Sequence, residues 1–261
     1  MTPAELGEAI ERYVRPETFP LGIRVLADGE TPPERTRRPR ADLGIQVSVC
    51  QGVSMARRYG WTIAMSGEDL SCPIASVAFA FRKAPPYYAE GSLAEGMYAK
   101  DRPGALRTEA VVPRVDVPGT VLVGPLRGAR FVPEVVCVYG NSAQVMRMVA
   151  AALFETGGSI TSEFNARADC AEIVSRTRQT GRPQVILPCY GDRVFGQTQD
   201  HEMAFTLPYS DAESFARGLE GTHRGGVRYP VPHYLRYTAD YPSTYETVKA
   251  IWREEDERSD G

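Results

Sequence analysis

Two rhythms of apolar and polar positions alternate along the chain. Residues 2–14 carry an amphipathic helical pattern with Glu5, Glu8 and Glu11 among the polar positions. Ile45, Val49, Val53 and Ala56 recur at helical spacing and predict a helix ending near Tyr59. Pro73 suits a first helical turn, which puts Ser71 or Cys72 at that helix's cap. A further helix is predicted over residues 142–156, with Val145, Met148, Val149 and Ala152 on one stripe. Asp169 followed by Glu172 spells a capping box, predicting a helix from Cys170 to about Gln179. Shorter helical patterns cover residues 93–98, 211–219 and 244–254.

Between these stand short apolar runs of strand type: residues 22–28, 61–65, "PGTVLVGPL", "PEVVCVYG", "PQVILP" and "EMAFTLP". Strands and helices alternate through most of the chain, so the fold class is α+β or α/β. The expectation is a single compact domain over residues 1–261, with a mixed sheet flanked by helices. Two sub-lobes would meet near residue 110, and residues 237–261 would form a C-terminal helix and charged tail.

Composition narrows the function classes. A formal charge of −3 and a pI near 5.8 argue against a general nucleic-acid binder. The arginine-rich stretch "PPERTRRPR" (residues 32–40) reads first as a solvated loop with polyproline bias, and second as a phosphate-binding segment. No stretch has the length and apolarity of a membrane span or a secretory signal, so a cytoplasmic location with reduced thiols is expected.

Reduced thiols bring the cysteines forward. Cys137 lies inside the apolar run "VVCVY" and reads as core filler. Cys72 and Cys170 are placed at or beside helix starts, where free N–H groups favour an anionic thiolate. Cys189 ends a predicted strand, and Cys50 lies one step off the apolar stripe of its helix. Thiolates of this kind suit zinc or an iron–sulfur cluster. The spacing contains no C-x-x-C and leaves open that several of the four are structural thiols.

The segment "GDRVFGQTQDHE" follows Cys189 closely. Arg193 is a candidate clamp for a carboxylate or phosphate, Gln199 a polar contact, and Asp200 or Glu202 a general base. The bland alternative pairs Asp192 with Arg193 inside the turn. Residues 222–235 place Arg224 and Arg228 around Gly225-Gly226, as an anion-binding lid or a structural turn. There is no P-loop, G-x-G-x-x-G, G-x-S-x-G or H-x-x-x-H pattern.

"CQGVSMARRYG", "GEDLSCPIA", "EVVCVYGNSAQVMRMV", the long run from Cys170 to Phe205 and "THRGGVRYPVPHYL" together resemble domain-of-unknown-function family 169, over about residues 20–236. The resemblance implies cysteines recurring at Cys50, Cys72, Cys170 and Cys189, with Cys137 outside the motifs. The leading expectation is then an iron–sulfur protein in which those four thiolates hold a [4Fe–4S] cluster. It would act as an oxidoreductase or sulfur transferase on a small molecule contacted by Arg193, Gln199 and Asp200, with a redox partner. The alternatives are a structural zinc or thiolate domain with a binding role, and a metal-free enzyme with Cys72 or Cys189 as nucleophile.

Overall fold

The computed structural model of the protein describes all residues except 28, 116–117, 232–238 and 260–261. Its centre is one six-stranded sheet, antiparallel throughout. The strands are β1 (Leu21–Leu26), β2 (Ile63–Met65), β3 (Thr120–Pro125), β4 (Val135–Gly140), β5 (Gln184–Ile186) and β6 (Met203–Pro208), in the order β2-β3-β1-β4-β6-β5. Antiparallel pairing throughout makes the fold α+β, in place of the expected mixed sheet. Strands from either side of residue 110 lie edge to edge, so the regions expected to meet there share this sheet.

Both faces of the sheet are covered, and β4 shows why its sequence is an unbroken apolar run. Val135, Cys137 and Tyr139 point into one cluster of buried side chains, while Val136 and Val138 point into the other. Cys137 is fully buried there, as core filler should be.

On the second face lie α1 (Pro3–Tyr13), α7 (Ser142–Ala152) and α11 (Ala212–Arg224), whose apolar stripes supply Leu6, Ile10, Met148 and Phe215. On the first face, α2 (Pro39–Leu43) precedes α3 (Val49–Tyr59), so the helix expected to include Ile45 starts later. The reason is legible in its ends: Ser48 and Gln51 form a capping box, and Gly60 closes the helix with φ 72°.

The short helices α4 (Pro73–Ala78), α5 (Pro86–Ala89) and α6 (Arg102–Ala110) follow. Residues 93–98 form turns rather than an amphipathic helix. The helix predicted from Cys170 is a composite of α8 (Asp169–Ala171), a π-helical turn (Glu172–Arg176) and α9 (Thr177–Thr180). Its capping box is not formed: Ala168 is the N-cap, and Asp169 points inward. The turn after β5 is itself helical, as α10 (Tyr190–Phe195). The helix α11 runs on through Thr222 to Arg224, residues expected to belong to the following loop, and part of that loop lies outside the described residues. At the end of the chain, α12 (Ser243–Ser259) buries none of its residues. No helix among the described residues is long and apolar enough to cross a membrane.

Candidate functional site

Four separate helix starts on the first face of the sheet each carry a cysteine. Cys50 is the second residue of α3, Cys72 is the N-cap of α4, Cys170 is the second residue of α8, and Cys189 is the N-cap of α10. All four line one cavity of about 390 Å³. Cys50, Cys170 and Cys189 are buried and Cys72 is half-buried. All five cysteines of the chain are free thiols.

Local chemistry fixes each of these positions. Ser48 caps α3 and brings its Oγ to 2.9 Å from Cys50 Sγ. Cys50 Sγ in turn lies 3.8 Å from the carbonyl oxygen of Gly191, at the start of α10. The turn leading to Cys72 is gathered by fully buried Asp69, which accepts from the backbone N–H of Arg40 and from both the N–H and Oγ of Ser66. Ahead of Cys170, Arg167 is pinned by Glu109, with Nε and Nη2 at 2.9 and 2.7 Å from Oε1, and lies 4.7 Å from the ring centre of Tyr98.

A buried polar chain anchors α10 to α3 and β4. The Tyr139 hydroxyl donates to Asp192 Oδ2 at 3.1 Å, and Thr198 Oγ1 donates to the same oxygen at 2.8 Å. Thr198 Oγ1 accepts from Arg57 Nη2, and Arg57 binds both oxygens of Glu202 at 2.5 and 3.1 Å. The Arg57 guanidinium also lies 4.1 Å from the Tyr139 ring centre. Asp192 therefore faces inward to Tyr139 and Thr198 instead of pairing with its neighbour Arg193.

The electrostatics of the cavity oppose free thiolates. Burial pushes the Cys50 thiol up to about 12, reinforced by Asp192, Asp169 and Cys72 against the hydrogen bond from Ser48. Burial also raises Cys170, with added repulsion from Asp169, Cys50, Cys189 and Cys72, and it raises Cys189 beside Asp169. Asp169 itself is buried and lines the cavity. Neither of its oxygens has a partner with ordinary hydrogen-bond geometry among the described residues, although Cys189 and Asp192 are near enough to act on its charge. Burial, then Asp192, hold its carboxyl well above the usual range. Burial thus favours the neutral forms of Cys50, Cys170, Cys189 and Asp169, which a cation or cationic cluster would deprotonate on binding. Among the described residues, no group of three or more His, Cys, Asp or Glu side chains is set around a single metal position.

The remaining wall is mainly apolar. Pro73, Ile74, Leu93 and Tyr98 contribute to it, and the exposed side chains of Met97, Tyr190 and Phe195 form its rim. Size and lining are those of a small-molecule pocket. Arg193, Gln199 and Asp200 stand elsewhere. Arg193 donates to the Gln199 carbonyl at 2.8 Å, the Gln199 N–H donates to Glu202 at 2.7 Å, and Gln199 and Asp200 are exposed. The structure makes the 197–202 turn a brace for α10. The sequence reading missed Asp169 and Arg167 as cavity residues; an acid immediately before a helix-start cysteine was the available signal for the first.

Comparison with known proteins agrees with the sequence resemblance. A family model described as "Uncharacterised ArCR" matches residues 9–218. An uncharacterised protein of Methanocaldococcus jannaschii is 24% identical over 176 residues, covering 66% of this chain and 75% of that one. No solved structure matches the chain.

Proposed function

The chain belongs to domain-of-unknown-function family 169, and we propose that it is an iron–sulfur protein acting on a small, largely apolar molecule. Cys50, Cys72, Cys170 and Cys189 would hold one cluster, most simply [4Fe–4S]. One observation carries this reading: four thiols from four separate helix starts face one cavity. Each arrives on its own first turn or cap, where backbone N–H groups favour the negative charge of a ligating thiolate. When bound, such a cluster supplies electron transfer or sulfur-transfer chemistry.

The protein's own residues then have defined tasks. Ile74, Leu93, Tyr98 and Phe195 exclude water and pack against the organic part of the molecule. Arg167, held by Glu109 and Tyr98, keeps the approach to Cys170 rigid. The Arg57–Glu202–Thr198–Asp192–Tyr139 chain fixes α10, and hence Cys189, against α3.

The two other readings draw on the same cavity thiols and are separated from this one by metal analysis. A metal-free nucleophile needs thiolate near neutral pH, and burial moves Cys189, one of its two candidates, away from it.

Purification of the full chain without oxygen, followed by iron and sulfide assay and visible spectroscopy, tests the proposal. We expect about four irons per chain for a [4Fe–4S] centre. Each of Cys50→Ala, Cys72→Ala, Cys170→Ala and Cys189→Ala should lower cluster content, and Cys137→Ala should retain it. Protein from iron-replete cells that carries neither iron nor sulfide would overturn the reading, and stoichiometric zinc would replace it with the zinc one.

A further inference from the structure

The arginine-rich stretch of residues 32–40 is not absorbed by the thiol cavity. Of its four arginines, Arg35 and Arg37 line one cleft, and Arg38 and Arg40 do not. Arg38 pairs with Glu68 at 2.5 Å, as the neighbouring Arg24 pairs with Glu30 and Arg127 with Glu11. Arg35 and Arg37 have no carboxylate partner among the described residues, and neither has Arg130 from the loop before β4. These three unpaired arginines meet in one concave cleft of about 240 Å³, also lined by Glu34, Trp61 and Thr62.

The cleft is built rather than a chance of surface composition. Arg37 is locked into the edge of the sheet: its N–H donates to the Thr62 carbonyl at 2.8 Å, and its own carbonyl accepts from Ala64 at 2.9 Å. Its guanidinium lies over Trp61, 3.8 Å from the ring centre, with Tyr59 packed against the same indole. A guanidinium held this way has already lost much of the freedom that binding would otherwise cost, and its fork of N–H donors suits an oxyanion. With its face covered by Arg37, Trp61 acts as a platform for a cation instead of a stacking surface for a base. Three guanidinium charges against the single carboxylate of Glu34 leave an excess of two positive charges in the cleft, the complement of a phosphate dianion.

We propose that the Arg35–Arg37–Arg130 cleft is a binding site for a phosphate-class oxyanion, either inorganic phosphate or the phosphoryl group of a small phosphomonoester. It is distinct from the thiol cavity. The two lie at opposite ends of α3, with Cys50 in its first turn and the cleft residue Gly60 at its C-cap. Ten residues at about 1.5 Å each put roughly 15 Å between Cys50 and Gly60.

Calorimetric titration of the full chain at low ionic strength, first with inorganic phosphate and then with phenyl phosphate, tests the site. Saturable one-to-one binding is expected, weakening as salt is added. Arg37→Ala and Arg130→Ala should each raise Kd by about tenfold or more, whereas Arg38→Ala, which removes the same charge from an arginine already paired, should leave it within about twofold. Both cleft arginines are exposed, and unchanged circular dichroism and melting will show that the variants fold. Tighter binding of phenyl phosphate identifies a phosphomonoester as the ligand, and tighter binding of phosphate identifies the free ion. The proposal fails if neither probe saturates, or if Arg38→Ala weakens binding as much as the cleft variants, since net charge alone would then account for the effect.

Discussion

Among single side chains, Glu202 holds the most exposed consequence of the buried network. It receives Arg57 on both oxygens, Arg58 at 3.4 Å and the Gln199 N–H, while its side chain is 5% exposed. Burial alone would raise its pKa. The hydrogen bonds from Arg57 and Gln199, with the charges of Arg57 and Arg58, outweigh that and hold it below the usual carboxylate range. Glu202→Gln leaves the Arg57 guanidinium buried opposite a neutral amide, and the loss of one partner from such a pair costs about 3–5 kcal/mol. Urea unfolding at neutral pH should show that loss. The sign of its pH dependence follows from the lowered value. The native carboxylate contributes fully above the pKa of the unfolded chain and loses its contribution as pH falls through the lower folded value. The gap between wild type and variant should therefore narrow in acid. A gap independent of pH would mean that the ion pair is not what the substitution removed.

Helices and strands were legible where their signals are local. Cys72 at a cap, Cys189 at the end of a strand and Cys137 in the core could be read from neighbours within four residues. The Ser48–Gln51 capping box was equally local and would have put Cys50 in the first turn of α3. Asp169 shows the opposite case. Its spacing to Glu172 satisfied the capping rule, but burial beside Cys189 and Asp192 took the carboxylate away from the helix end. The pairs Arg57–Glu202 and Arg167–Glu109 join residues 145 and 58 apart in sequence and have no local code. Packing also reverses a propensity argument at Gly218 in α11. Helix propensity favours alanine over glycine by about 1 kcal/mol. A Cβ at this position, however, would stand 2.0 Å from the carbonyl oxygen of Ala151 in α7, backbone that cannot yield like a side chain. Separating the two helices should cost about 1–3 kcal/mol, as overpacking does, so Gly218→Ala is expected to lower the melting temperature. A stabilised variant would show that α7 and α11 are less closely applied.

For the molecule as a whole, the thiol cavity ties together parts of the chain that are remote in sequence. Cys50 and Cys72 come from the segment around β2, while Cys170 and Cys189 flank β5 at the opposite edge of the sheet. A group bonded to all four would bridge this span, and any ligand that binds the folded chain alone stabilises it by mass action. At a concentration 100 times its dissociation constant the gain is about 2.7 kcal/mol. In a chain of this size, 1 kcal/mol corresponds to roughly 2–4 °C. Reconstitution of the metal-free protein with iron and sulfide under reducing, oxygen-free conditions should therefore raise the melting temperature by about 5–10 °C. Cys50→Ala, whose thiol comes from one side of the span, and Cys170→Ala, from the other, should each remove most of that rise. Cys137→Ala should keep it, even where its lost core packing lowers the starting temperature. Equal rises in all three variants would place the added metal elsewhere on the protein, and no rise in the wild type would remove the four-thiol bridge.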